Sequence, residues 1–149
     1  MGMTRIKKAH MFILMVQDKK FEDTVQFYKD LGLTSKFHLK DKWSEFELDG
    51  LLIGICPTDK ELPDRHTGIV MAVDDLQATH DELKSSVTFL NKPVEAVHGL
   101  MASVKDPGGN IFDLYQPTPD KLKDFVKKTA EKDCCENKDC CEDKKSEKN

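Results

Sequence analysis

The sequence lacks any apolar run long enough to cross a membrane. Its N-terminal apolar segment, Phe12 to Val16, is followed at once by polar residues, whereas a spanning helix needs roughly 20 apolar residues. The same segment is also too short for the core of a secretory signal peptide. We therefore expect a cytoplasmic protein that does not associate with membranes.

An excess of positive charge is also missing. The 23 Lys and Arg residues are outnumbered by 27 Asp and Glu residues, and the formal net charge is −4. The basic residues are spread along the chain, so no segment resembles the basic stripe that neutralises a phosphate backbone. We expect no nucleic-acid partner.

Cysteine is nearly absent from the body of the chain, where Cys56 stands alone. A lone Cys at a strand end is most often a small buried hydrophobe, and no neighbouring cation is available to activate it as a nucleophile. The remaining four cysteines lie close together near the end of the chain, so disulfides among them could close only small loops. The fold is therefore not a disulfide scaffold. These four cysteines are Cys134, Cys135, Cys140 and Cys141.

These four thiols offer enough sulfur for a soft ion such as zinc, copper(I) or trivalent arsenic. Their spacing differs from the CxxC pairs of structural zinc sites, so redox chemistry and the lack of a specific role stay open. From Glu131 onward the chain contains no aliphatic or aromatic residue. Such a segment cannot offset its ordering entropy by burial, and we predict a disordered, charged, Cys-rich tail over residues 131–149.

What the sequence does contain is a faint internal repeat. The triplet Val16-Gln17-Asp18 recurs as Val73-Asp74-Asp75, each time between an apolar run and an amphipathic segment. The stretch from Gly50 to Pro57 has a counterpart from Gly109 to Pro117. At 149 residues the chain has room for one domain with a core, so the repeat indicates two similar halves of a single domain.

Both halves predict the order βαβββ, which makes the fold class α+β. In the first half, Phe21, Val25 and Tyr28 lie on one helix face, and Gly32 is placed to end that helix. The strands predicted around it cover residues 10–17, 34–40, 43–49 and 51–56. In the second half a helix is predicted over 75–85, with strands over 68–73, 87–90, 101–105 and 110–115. A last helix is predicted over 118–130, where Thr118 can cap it and Pro119 can begin it.

Three phrases carry a resemblance to a known family: Phe-Tyr-Lys-Asp-Leu-Gly at 27–32, Trp-Ser-Glu-Phe at 43–46, and Asp-Pro-Gly-Gly-Asn-Ile-Phe-Asp-Leu at 106–114. In this order and spacing they resemble the vicinal-oxygen-chelate superfamily, which includes glyoxalases, bleomycin resistance proteins and extradiol dioxygenases. The resemblance implies a domain over residues 1–117, with modules at about 8–60 and 65–117 forming a curved sheet around a cleft. It also implies a homodimer, because relatives often build their clefts across a subunit interface.

Metal-dependent members of that superfamily place ligands at four strand positions, which the shared phrases map onto Met11, Gly54, Gly68 and Asp113. A thioether is soft and glycine has no side chain, so only Asp113 can bind a hard divalent cation. We therefore expect no cofactor in the cleft, and we assign no catalytic residue. The alternative is a strand register that aims His10 and His66 at the cleft beside Asp113, since a one-residue slip exchanges the two faces of a strand.

Side-chain alternation separates the cleft from the core. It places the predicted core at Phe12, Leu14, Ile53, Ile55, Ile69, Met71, Phe112 and Leu114. The predicted cleft lining is Met11, Ile13, Met15, Leu52, Gly54, Cys56, Gly68, Val70, Asp113 and Tyr115. This lining suits a small apolar or aromatic molecule oriented by Asp113 and the Tyr115 hydroxyl; alternatively, Asp113 pairs with a surface Lys and methionines fill the cleft.

Three functions follow from these patterns. The first is a small-molecule binding protein, or a lyase or isomerase, of the glyoxalase and bleomycin-resistance type with a degraded metal site. The second is a metal-dependent enzyme of the glyoxalase or dioxygenase kind. The third is the handling of thiophilic metals or metalloids through the Cys-rich tail.

Overall fold

The computed structural model describes residues 5–136, and these form two β-sheets with three α-helices. The first half contains β1 (Phe12–Gln17), α1 (Phe21–Asp30), β2 (Thr34–Leu39), β3 (Trp43–Leu48) and β4 (Leu51–Thr58). The second half contains β5 (Arg65–Ala72), α2 (Leu76–Leu83), β6 (Thr88–Phe89), β7 (Val94–Ala96), β8 (Gly99–Lys105) and β9 (Asn110–Pro117), and α3 (Pro119–Glu136) follows it. The predicted α+β class and the repeated βαβββ order are confirmed.

The two sheets have the same topology. The first has the strand order β1-β4-β3-β2, and the second has β5-β9-β8-β6 with β7 added on β8. In each sheet the first strand pairs in parallel with the last, so that Ile13 lies opposite Gly54 and Val70 lies opposite Asp113. The remaining ladders that involve β2, β3, β6, β7 and β8 are antiparallel.

The helices α1 and α2 each cover the apolar face of their own sheet. Along α1, Phe21, Val25 and Tyr28 are buried, as their helical spacing predicts, and Gly32 with φ of 94° follows the end of that helix. The Asp75 carboxylate caps α2 by accepting a hydrogen bond of 3.0 Å from the backbone N–H of Ala78. The strand residues beneath the helices are buried as predicted, with two exceptions described next.

Phe12 was predicted to lie in the core, and this was wrong: 44% of its surface is exposed. It is the first residue of β1, whereas the chain enters α1 at the other end of that strand, so the buried positions of β1 are Leu14 and Val16. Ile69 is only partly buried against the core, because β5 is irregular between His66 and Val70 and strict alternation does not survive a bulge.

Several elements differ from expectation: β5 begins at Arg65 and not at residue 68, and β8 begins at Gly99 and not at residue 101. The short strand β7 was not predicted, and α3 continues past residue 130 to Glu136. Three of the six added residues, Glu131, Lys132 and Glu136, are good helix formers, so the helix extends although residues 131–136 include no aliphatic or aromatic residue. Residues 137–149 of the predicted tail, including Cys140 and Cys141, lie outside the described residues. In the described range 5–136, no helix combines the length and the apolar character that crossing a bilayer requires.

A buried hydrogen-bond network, which we call the junction, joins the two halves. The Tyr28 hydroxyl and the Asn110 side-chain amide each donate to Oδ2 of Asp106 over 2.8 Å, and the Asn110 backbone N–H donates to Oδ1 over 2.8 Å. Asn110 also donates to the carbonyl of Met15 in β1, over 3.2 Å. The phrase Asp-Pro-Gly-Gly-Asn therefore forms a turn that also ties the second sheet to the first.

Burial dominates the electrostatics of the junction. Desolvation raises the pKa of Asp106, although its hydrogen bonds to Asn110 and Tyr28 act in the opposite direction. Desolvation, together with the neighbouring Asp106 carboxylate, also raises the pKa of Tyr28 far above its ordinary value. Tyr28 therefore holds its proton more strongly in the folded protein than in the unfolded chain, and Asp106 accepts three hydrogen bonds from Tyr28 and Asn110.

Candidate functional site

The candidate site is the side of the two sheets that faces away from α1 and α2, which we call the cleft face. Its residues alternate along the strands with the buried core residues, so it carries the predicted lining. Ile13, Met15 and Val70 are respectively 54%, 38% and 52% exposed. Gly68 is also exposed and Gly54 is buried, whereas the half-buried members of the lining are Met11, Leu52, Cys56, Asp113 and Tyr115. The face is mostly apolar and open to solvent.

In the first module, aromatic and thioether groups cover Gly54. A Cβ atom placed on Gly54 would lie 2.6 Å from Cη2 of Trp43 and 3.2 Å from Sδ of Met11. The Trp43 indole is held there by a hydrogen bond of 3.0 Å from its Nε1 to the Glu45 carboxylate, and Glu45 lies opposite Gly54 in the ladder. This position is therefore filled by apolar atoms of the chain itself, and no side chain can extend from it without displacing Trp43.

In the second module, the equivalent position holds Asp113. Ser103 lies directly opposite it on β8 and donates its hydroxyl hydrogen to Oδ1 of Asp113 over 2.6 Å. None of the ion pairs formed within residues 5–136 involves Asp113. Within the described part of the chain, Asp113 therefore does not form the ion pair with a surface Lys that the alternative predicted.

The histidines proposed as alternative metal ligands do not gather around Asp113. His10 is exposed and precedes β1, and His66 is exposed on β5 opposite Ile111. Across the described stretch of the chain, no three His, Cys, Asp or Glu side chains lie close enough to share a metal ion.

The residues at the four mapped positions do not fit a divalent cation. Met11 packs on Trp43 and Gly54, while Gly68, with φ of 78°, has open space where a side chain would be. Asp113 is then the one hard donor of the set, and a single carboxylate does not make a catalytic zinc, iron or manganese site.

Sequence reasoning missed His98 at the rim of the cleft face. Its Nδ1 lies 2.6 Å from the Tyr115 hydroxyl oxygen, and the two rings meet edge to face with centroids 5.2 Å apart. The predicted strand began at residue 101, which left His98 in a loop, whereas β8 begins at Gly99 and brings His98 beside Tyr115. Nothing in the local sequence of His98 distinguishes it from an ordinary turn histidine.

Two solvent-open cavities of the described residues are not lined by Asp113 or Tyr115. One of about 210 Å³ follows the seam between β1 and β5, where Met15, Arg65, His66 and Asn110 line it. Another of about 250 Å³ lies between α1 and the end of α2, beside Phe27 and Leu83. Cys134 and Cys135 of the Cys-rich segment belong to the last turns of α3.

Comparison with known proteins identifies relatives of this arrangement. A family model described as the Glyoxalase/Bleomycin resistance protein/Dioxygenase superfamily matches residues 9–114. No curated protein matches the chain significantly.

Three solved structures illustrate the similarity in fold. A superfamily member from Sphaerobacter thermophilus is 22% identical, with a TM-score of 0.62 over 76% of this chain and 99% of its own. A variant of the fosfomycin resistance protein FosX from Listeria monocytogenes, in complex with Mn(II) and a dihydroxypropylphosphonic acid, is 18% identical, with a TM-score of 0.63 over 78% and 96%. TnmS3, an antibiotic-binding protein from Streptomyces, is 20% identical, with a TM-score of 0.60 over 76% and 100%.

Proposed function

Because the chain belongs to the glyoxalase, bleomycin resistance protein and dioxygenase superfamily, we propose that it binds an apolar small organic molecule on the cleft face without a metal ion there. The observation that carries this proposal is the cover over Gly54 by Trp43 and Met11. A metal-dependent relative would need a ligand side chain at that position, and this chain fills it with an indole and a thioether.

The lining supports an apolar ligand. Exposed Ile13, Met15 and Val70 offer apolar surface, and burying such surface against a ligand is favourable by about 25 cal/mol per Å². Asp113 and Tyr115 supply few but well-placed polar groups, the usual composition of a small-molecule site. The antibiotic-binding neighbour TnmS3 supports the same kind of role for this chain. Binding followed by lyase or isomerase chemistry belongs to the same proposal, with no catalytic residue assigned.

We further propose that the protein is a homodimer whose second copy closes the cleft. The apolar residues of the cleft face are largely uncovered in one chain, and contiguous exposed apolar patches mark binding or interface surfaces. Light scattering on the full-length protein should give the mass of two chains. A cytoplasmic location stays a prediction from the sequence.

Metal analysis tests the metal-free cleft. Full-length protein, purified without chelators, is compared by elemental analysis with a variant in which Cys134, Cys135, Cys140 and Cys141 are all changed to Ser. We expect the four-serine variant to retain no stoichiometric nickel, iron, manganese or zinc. Stoichiometric retention of one of these metals by that variant would contradict the proposal and favour a glyoxalase- or dioxygenase-like metalloenzyme.

The same pair of proteins tests the role of the tail. Four thiols within a short segment favour the capture of a soft ion, because thiolates select such ions. Titration with zinc or trivalent arsenic should show binding by the full-length protein that the four-serine variant has lost. Equal binding by the two proteins would end the proposal that the tail handles thiophilic metals or metalloids.

A further inference from the structure

We propose that His98 is a ligand-recognition residue whose Nε2 accepts a hydrogen bond, and that the ligand is therefore an apolar molecule carrying an O–H or N–H donor. This inference rests on the proposed function, since it places the ligand on the same cleft face. Its evidence is the contact between His98 and Tyr115 at the rim of that face.

His98 is exposed, yet its ring is held in place. Its Nδ1 lies 2.6 Å from the Tyr115 hydroxyl oxygen, and the edge-to-face contact between the rings adds a second restraint. Gly99 makes this approach possible: a Cβ atom there would lie 2.6 Å from Cε2 of the Tyr115 ring and would also collide with the carbonyl oxygen of Gln116. Exposed side chains ordinarily keep their rotamer freedom, whereas these two contacts hold the His98 ring in one position before any ligand binds.

The hydrogen bonds determine which ring nitrogen is free. The Tyr115 hydroxyl also lies 3.0 Å from the backbone carbonyl oxygen of His98, with the geometry of a donor. A phenol has a single hydrogen to donate. Both short contacts are satisfied when Tyr115 donates to that carbonyl and Nδ1–H of His98 donates to the Tyr115 oxygen. In the neutral imidazole this arrangement leaves the lone pair on Nε2.

The remaining polar groups nearby give the ligand its chemistry. Tyr115 and Asp113 lie two residues apart on β9 and share the cleft face with Val70 and Ala72 of β5. The hydroxyl hydrogen of Ser103 is already donated to Asp113, and that of Tyr115 to the His98 carbonyl. Asp113 and Nε2 of His98 are thus both acceptors on an apolar surface, and a ligand that satisfies them must bring the donors.

Nuclear magnetic resonance tests the tautomer without any ligand. At about pH 8, where an ordinary imidazole is neutral, long-range proton–nitrogen spectra of the full-length protein should show His98 protonated at Nδ1 and bare at Nε2. In Tyr115→Phe the Nδ1–H partner is lost, and the imidazole should move towards the Nε2–H form. A wild-type His98 protonated at Nε2 and bare at Nδ1 would overturn the proposal.

Two matched probe molecules test whether His98 recognises a hydrogen-bond donor on the ligand. The probe 2-naphthol carries one O–H donor, and 2-methoxynaphthalene has the same apolar rings without it. We expect both to shift the backbone amide signals of Asp113 and Tyr115, with 2-naphthol binding about tenfold tighter, the value of one good hydrogen bond. In His98→Phe, which keeps the aromatic contact, that tenfold preference should disappear, whereas His38→Phe on the distant strand β2 should keep it.

The outcomes separate the two proposals. If both probes shift the Asp113 and Tyr115 signals but bind equally well to the wild type, the apolar cleft stands and the role of His98 is wrong. If neither probe shifts those signals, apolar binding on this face is contradicted, and the role of His98 in recognition fails with it.

Discussion

The two modules build the same strand pair and equip it differently. In the first, β1 lies parallel to β4 and Gly54 sits opposite Ile13; in the second, β5 lies parallel to β9 and Asp113 sits opposite Val70. The neighbouring antiparallel strand then decides the environment. In the first module this strand supplies Glu45, which holds the Trp43 indole over Gly54. In the second module it supplies Ser103, which donates a hydrogen bond to Asp113. The comparison teaches that a repeated backbone leaves the chemistry of each half to a few side chains on the adjacent strand.

The largest expected effect comes from breaking the junction that holds the two modules together. Asp106→Asn replaces the Oδ2 acceptor by an NH₂ group that would face the Tyr28 hydroxyl and the Asn110 amide, both of which are donors. We expect the free energy of unfolding, measured in urea, to fall by about 2–4 kcal/mol, as when a buried network is left unsatisfied. The control is Asp64→Asn, which removes an exposed ion pair with Lys105 and should change the free energy of unfolding little. Equal losses of stability in the two variants would mean that the junction does not hold the modules together.

A smaller effect is expected from making the first module resemble the second. Gly54→Asp should destabilise the protein by about 1–3 kcal/mol, the usual cost of overpacking, because its Cβ would lie 2.6 Å from Trp43. In Trp43→Ala the obstruction is gone, so adding Gly54→Asp to that variant should cost much less. A double-mutant cycle of unfolding free energies measures the coupling, and a coupling of zero would show that Trp43 does not block this position.

The smallest effect is a loss of stability at alkaline pH that depends on Tyr28 of the junction. Tyr28 has a raised pKa in the folded state, so it keeps its proton above the ordinary tyrosine pKa of about 10 while the unfolded chain loses it. Its stabilising contribution is therefore present below about pH 10 and is lost as the pH rises further, by about 1.4 kcal/mol per unit.

Urea unfolding at about pH 9 and about pH 11 measures this loss. The wild type should lose about 1.4 kcal/mol more than Tyr28→Phe over that interval. Parallel pH profiles for the wild type and Tyr28→Phe would show that Tyr28 titrates in the folded protein much as it does in the unfolded chain.

Much of the fold was predictable because it rests on local periodicity. The spacing of Phe21, Val25 and Tyr28 predicts α1, and the alternation around Ile53 and Ile55 predicts which residues lie beneath it; the structure confirms both. The site was less accessible to such reasoning. His98 becomes part of the rim only because β8 begins earlier than expected, and Trp43 covers Gly54 through a cross-strand contact that periodicity does not encode.

The sequence by itself determined the two-module order and the burial of alternate strand residues, because residue type and spacing act locally. That Met11, Gly54 and Gly68 occupy the positions of metal ligands is what the family resemblance implies. Only the tertiary structure decided that Trp43 fills the space at Gly54, that Ser103 and His98 meet Asp113 and Tyr115, and that Asp106 joins the halves. The physical reason is that strand pairing brings together residues distant in sequence, and a shift of one or two residues in register or strand end changes every such partner.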